Sequence, residues 1–341
     1  MHSIFILGML LCFSYSGNSE KRCLDGRTRF LAASGFLDAA ISSLNALSAL
    51  VKKEAYRTRI ASFNNPTSTD MGFSLETEVQ AALRPLLAKA RSTNAGRFSE
   101  VVASLMVTQG RMPALKTAIG SVSPVFSSLM GLVGNLAVQE KKITRADLDS
   151  FILSTSKYFV QYQRLEGANN LFDGQLDKLC SRMGELQFDL REYMLDLVAI
   201  LYPKEERSAV RRTGLEDIFL KYLDADKLGR LQDNAVEAFP HFPADAVKGA
   251  KDIYYTLQKL FAEYQKIYND NYILVKGIIN DAKKIGRNIN AVQVDASTRE
   301  LEQLYNESRV SDAMSLRLAT VAERLKAFTA AEQDKPTAPE Q

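Results

Sequence analysis

The sequence predicts an all-α fold: an elongated helical bundle with a long antiparallel coiled-coil hairpin and a small helical cap. Three observations predict it. From Leu148 through Phe151, Thr155, Tyr158 and Tyr162 to Leu197 and Ile200, apolar residues recur at alternating steps of three and four. Only Thr155 and Asn169 are polar along that run. This is a heptad seam, and its helix would be about 85 Å long at 1.5 Å per residue. A second seam runs from Val247 through Leu257, Tyr264 and Tyr268 to Ile289. Finally, the 18 Gly and 9 Pro of the 341-residue chain fall mostly between periodic segments.

The totals exclude some classes of function. A hydrophobic content of 46% supplies a core. The 43 basic and 40 acidic residues leave a net charge of only +3, so no electrostatic case exists for a nucleic-acid partner. Residues 1–16 read as a signal peptide. The apolar run from Ile4 to Tyr15 has the length of a signal core and is too short to span a bilayer. Export to the periplasm or the extracellular space follows, although Met-His-Ser lacks a basic residue. The mature chain then holds Cys23 and Cys180, which either form a disulfide or stay as two thiols.

Residues 17–143 read as a helical bundle segment. Thr28–Tyr56 is expected as a first helix, with Leu37, Ile41, Leu44 and Leu47 on one face. Phe63–Phe73 is a loop by its turn residues, and Ser74 is placed to cap the next helix, which Pro85 interrupts. Arg97–Gln109 is a further helical stretch. Segment 117–139 then carries no charge. One side of it is apolar, with Val125, Phe126 and Leu129. The other is small, with Gly120, Gly131 and Gly134, which lets helix backbones approach closely. It is either a central helix buried on all sides or a segment that enters a bilayer.

Thr144-Arg-Ala-Asp147 is a capping box for the long helix, residues 144–202, which Pro203 ends. Residues 203–243 form the helical cap insert, with short helices at Gly214–Leu223 and Leu231–Phe239. Residues 244–290 form the return helix, widened by Ile253, Leu260, Ile267 and Leu274. Residues 296–330 form a C-terminal helix, and 331–341 a disordered tail. Each seam has one asparagine, Asn169 and Asn271. In an antiparallel hairpin they reach one level, where a buried pair would fix register.

No residue pattern points to catalysis, a cofactor or a small-molecule substrate. Asp224, Asp226 and Gly229 resemble the start of a calcium loop. However, Leu228 stands where an oxygen ligand belongs, and Ala235 where a bidentate Glu belongs. His241 alone cannot make a histidine-rich metal site. Glu185, Asp189, Glu192 and Asp196 lie off the seam, as a solvated face. Tyr254, Tyr255, Tyr264, Tyr268 and Tyr272 form an aromatic band, either core or interface.

These readings give an exported, non-catalytic protein acting through protein–protein binding or self-assembly. The plan is also similar to that of the ClyA-like α-helical pore-forming toxins, which join a long helical bundle to an apolar segment able to leave the soluble fold. That resemblance implies a membrane-acting protein whose segment 117–139 inserts into lipid. In that family the apolar element is an inserted head, whereas here it adjoins the long arm.

Overall fold

The computed structural model describes residues 17–91, 94–102, 122–140, 142–230, 245–285, 289–309 and 312–333. Side chains are described from residue 27 in the first helix, from 128 in the helix starting at Val122, and to 330 in the last. Among these residues every regular element is helical. The chain is an all-α bundle. In order, the helices are α1 (Gly17–Val51), α2 (Ala55–Ser62), α3 (Leu75–Leu87), α4 (Val122–Gln139), α5 (Arg145–Leu201), α6 (Arg207–Arg211), α7 (Leu215–Ile218), α8 (Ala225–Gly229), α9 (Ala246–Ala282), α10 (Ala291–Ser308) and α11 (Asp312–Gln333). Residues 94–102 are also helical. The predicted signal, residues 1–16, lies outside the described residues, as do Leu231–Phe239 and His241.

The seam on α5 is the buried face of that helix. Leu148, Tyr193 and Ile200 are half-buried, and the other seam residues are buried. The cap is the predicted box. Thr144 Oγ accepts from the Asp147 N–H at 3.3 Å, and the Asp147 carboxylate accepts from the Thr144 N–H at 2.9 Å. On α9 the seam is likewise buried from Val247 to Ala282, with Tyr254 half-buried. Leu274, expected to widen the stripe, is exposed instead.

Three boundaries differ from the prediction. The first helix stops at Val51, and α2 restarts at Ala55. Lys52, Lys53 and Glu54 between them are all exposed, so a run of three charges forms the corner. The return helix ends at Ala282 rather than near 290. The single helix expected over 296–330 is two, α10 and α11. The positions that would carry the stripe from Leu304 to Met314 are Ser308 and Ser311, so no apolar face spans the break. At the C-terminus α11 runs to Gln333, into the predicted tail.

The chain divides into two compact units. Unit 1 comprises Met1–Ala46, Gly184–Lys259 and Asp312–Gln341; unit 2 comprises Leu47–Met183 and Leu260–Ser311. Helices α1, α5 and α9 contribute residues to both. The core of unit 1 holds Phe36, Leu44, Leu190, Leu257, Val321 and Phe328. Arg27 donates to the Gly229 carbonyl at 3.0 Å, and Arg317 to the Ser42 hydroxyl at 2.6 Å. Pairs so far apart in sequence tie the first, middle and last segments of the unit together.

The core of unit 2 gathers Tyr56, Phe63, Phe73, Tyr162, Phe172, Tyr264 and Leu301. Here α5 and α9 run antiparallel. Arg164 pairs with Asp281 at 3.0 Å, the Phe172 and Tyr268 rings lie 5.0 Å apart, and Arg182 pairs with Glu263. As the α5 number rises, its α9 partner's number falls. The predicted Phe63–Phe73 loop is packed rather than free: Phe63, Met71 and Phe73 are buried. Arg59 holds the loop through Asp70 at 2.9 Å while also pairing with Glu300 of α10 at 2.8 Å. Ser74 caps α3 as predicted, accepting from the Thr77 N–H at 3.4 Å.

The loop closes on α10 at Gly72, whose φ is +79°. Its carbonyl accepts from the Asn290 N–H at 2.9 Å. A Cβ there would lie 2.6 Å from Val294 and 2.9 Å from the Asn290 carbonyl oxygen, and the backbone oxygen cannot step aside. Gly72→Ala therefore combines a left-handed backbone with a backbone clash, and should lower stability by about 2–4 kcal/mol in urea denaturation. A second outcome concerns Asp147. Lys89 first, and then Thr144, hold its carboxyl down at about 2. This contribution is complete above pH about 4, the unfolded range, and is lost as pH falls through about 2. Asp147→Asn should lower the melting temperature at pH 7, and its deficit relative to wild type should close as the pH approaches 2.

Candidate functional site

Four regions singled out by the sequence can be placed. The charge-free segment comes first. Gly120 lies outside the described residues. Val125 and Phe126 belong to α4, but their side chains are not among those described. From Ser128 onward α4 is two-sided: Leu129, Val133 and Leu136 are buried, whereas Ser128, Gly131, Asn135 and Val138 are exposed. Gly134 is half-buried, and nothing stands within 4 Å of where a Cβ would sit on Gly131 or Gly134. This part of the segment is thus not buried on all sides; its small-residue face is open. Glu140 ends it, buried and accepting from the Asn94 amide at 2.8 Å and the Arg91 N–H at 3.2 Å. Those two bonds lower its pKa.

The two asparagines come second. Both are buried in unit 2, but they do not bond to each other. Asn271 donates to the Ala168 carbonyl at 3.2 Å and accepts from the Tyr56 hydroxyl at 2.9 Å. Asn169 donates to the Ile60 carbonyl at 3.3 Å, and its Oδ1 has no hydrogen-bond partner. The levels agree with an antiparallel pairing, since Asn271 meets the residue before Asn169. The expected Asn–Asn pair fails because α2 lies against both helices and supplies other partners. Tyr56 packs 5.6 Å from Phe172 and 5.3 Å from Tyr268, centroid to centroid. Burial pushes its hydroxyl pKa far above the usual range.

The tyrosine band divides. Tyr264, Tyr268 and Tyr272 belong to the core of unit 2, where the Tyr264 hydroxyl donates to the Ser308 carbonyl at 2.7 Å. Tyr272 stacks on Tyr305 at 4.2 Å. In unit 1, Tyr254 is half-buried and Tyr255 exposed. The cap residues behave as helix ends. The Asp224 carboxylate accepts from the Asp226 N–H at 2.8 Å, capping α8, and no group of three or more metal-binding side chains occurs among the described residues. Of the four acidic residues off the seam, Glu185, Asp189 and Asp196 are exposed. Glu192 is instead half-buried, clamped by Arg211 at 2.6 Å and Arg207 at 3.1 Å. These bonds, that of Arg211 first, lower its pKa. Cys180 is free and exposed, and the side chain of Cys23 is not among those described.

One surface was not foreseen. On the outer face of α5 in unit 2, Ala146, Leu153, Val160, Gly167, Gly174 and Ser181 follow one another at intervals of seven, and all are exposed. Leu153 is 78% exposed, Val160 47%, and the adjoining Leu171 55%. Nothing lies within 4 Å of a Cβ built on Gly167 or Gly174. The row carries no charge, and its apolar members stand in water. The signal was present in the sequence as a second seven-residue period, two residues out of step with the buried seam and so on the opposite side of the helix.

In unit 1 an open cavity of about 340 Å³ lies beside Tyr193 and Gly249, with Asp196, Asp245, Lys248 and Asp252 around it. Asp196 is already committed to Arg207 at 2.7 Å. No family model, curated protein or solved structure matches the chain.

The different bonding of the two asparagines gives a paired outcome. Asn271→Leu removes two buried bonds and strands the Tyr56 hydroxyl, and should cost about 2–3 kcal/mol. Asn169→Leu removes one long bond along with an unpaired carbonyl oxygen. Its stability in urea denaturation should stay within about 1 kcal/mol of wild type or rise.

Proposed function

We propose that the protein is an exported, non-catalytic helical protein that works by binding or assembling with protein through the outer face of α5. The exposed apolar positions Leu153, Val160 and Leu171 on one helix face are the observation that carries this reading. Single exposed apolar residues are ordinary, but a row in register along one helix is the form that helix-to-helix recognition takes. In this reading α5 and α9 are the limbs of an antiparallel coiled-coil hairpin, residues 203–243 are its cap, and residues 1–16 direct export. Two measurements test it. Expressed from Met1, the protein should be recovered outside the cytoplasm with an N-terminus near Gly17. The Val160→Lys variant should keep the helical circular-dichroism spectrum while losing the association that the wild type makes. A cytoplasmic product, or association indifferent to Val160→Lys, overturns the reading.

A membrane-acting protein is the second reading. It is favoured by an 18-residue apolar window within Arg27–Ser62, long enough to cross a bilayer though 56% of it is buried, and by the shorter apolar helix Ser128–Gln139. It predicts that liposomes release a trapped dye on addition of the protein. It also predicts that Val138→Asp, at a position 84% exposed, reduces release without unfolding the chain. An absence of both leakage and lipid association removes this reading.

A further inference from the structure

The outer row of α5 has unlike sides. On a helix, the residue four places on from each row position lies to one side, and the residue three places on lies to the other. The first side reads Ser150, Lys157, Arg164, Leu171, Lys178. The second reads Asp149, Ser156, Gln163, Asn170, Asp177. One is basic with a leucine; the other is acidic and amide-bearing.

This asymmetry decides what fits. If two copies meet face to face with their α5 helices antiparallel, each side meets its own kind, and Arg164 faces Arg164. If they meet with the helices parallel, the basic side of each copy faces the acidic side of the other. Lys178 of one copy then stands level with Asp177 of the other, and the two-fold axis repeats the pair. Both residues are exposed, so neither is buried within its own chain. Gly167 and Gly174, with open space above them, let the two backbones come close just before that point. A strict seven-residue period keeps such a row in contact along a left-handed crossing.

We infer that the face of α5 carrying Leu153, Val160, Gly167, Gly174 and Ser181 is where a second copy of this chain docks, parallel and in register. The inference rests on the proposed use of this face for protein association, and names the partner. The partner is self because in that orientation Lys178 meets Asp177 of the second copy, while Lys157 and Arg164, engaged in their own chain with the Ile285 carbonyl and Asp281, meet the uncharged Ser156 and Gln163.

The test uses the full chain with its cysteines replaced by serine. Analytical ultracentrifugation should find a concentration-dependent dimer. Asp177→Lys should raise its dissociation constant roughly tenfold by placing lysine against Lys178, and adding Lys178→Asp should restore it. Leu153→Cys and Ser181→Cys should each form a disulfide with its own copy on mild oxidation, because like residues face each other in a parallel pair. A dimer that Asp177→Lys leaves unchanged, or one that cross-links only when Leu153→Cys and Gly174→Cys chains are mixed, overturns the proposal. A chain that stays monomeric also overturns it. If Val160→Lys then abolishes binding to a different protein, the use of the face survives and only the self-partner falls.

Discussion

The apolar seam of α5 has to be covered along its whole length, and the arrangement of each unit follows from that requirement. Burying a leucine or phenylalanine side chain is worth about 1.5–3 kcal/mol, so a helix carrying such residues at every third or fourth place cannot stand in water. In unit 1, Leu186, Leu190 and Leu197 are buried in a core shared with residues of α1, α9 and α11. In unit 2, Tyr162, Leu165 and Phe172 are buried with residues of α2, the packed loop, α9 and α10. The antiparallel run of α9 against α5 covers one side of the seam there. Tyr56 and the Phe63–Phe73 loop cover another.

How far the sequence revealed this depends on the range of the interaction. Local signals were plain. The start of α5 follows from Thr144 and Asp147, the Ser74 cap from its hydroxyl, and the two seams from spacing alone. The breaks near Lys52 and after Ser308 were legible too, as a charge run and as serines in the stripe, but only to a reading that asked where each stripe failed. The fate of Asn169 and Asn271 was not legible. Their partners are Tyr56, Ile60 and Ala168, and no local pattern states that a short helix more than a hundred residues away in sequence lies against both of them. The outer row of α5 was hidden for a different reason: once one phase of a helix is read as its core, the others are easily taken as solvated.

Polar groups inside unit 2 are placed to limit alternatives more than to add stability. Asn271 accepts from Tyr56 on α2 and donates to a carbonyl on α5 while sitting on α9. A slip of one turn between any of these helices would strand all of these groups in a dry core, at a cost larger than the bonds themselves are worth. Gly72 does the same for the loop, since only glycine permits the carbonyl to meet Asn290 at that φ. The apolar seams alone would tolerate a shift of seven residues with little loss. The asparagine and the glycine do not.

The Tyr56–Asn271 bond also fixes an order in time. Its two residues are 215 positions apart. Ribosomes add about 5–20 residues per second, so the partner of Tyr56 does not exist until roughly 10–40 seconds after Tyr56 is made. During that interval the apolar stripes of α1 to α5 exist without the helices that cover them. Unit 1 waits longer still, because Ser42 meets Arg317 across 275 positions. Unit 2 can close only once α10 has been made, and unit 1 only once α11 has. For that interval the apolar stripes stand open to solvent, which gives them time to meet wrong partners before the right ones exist.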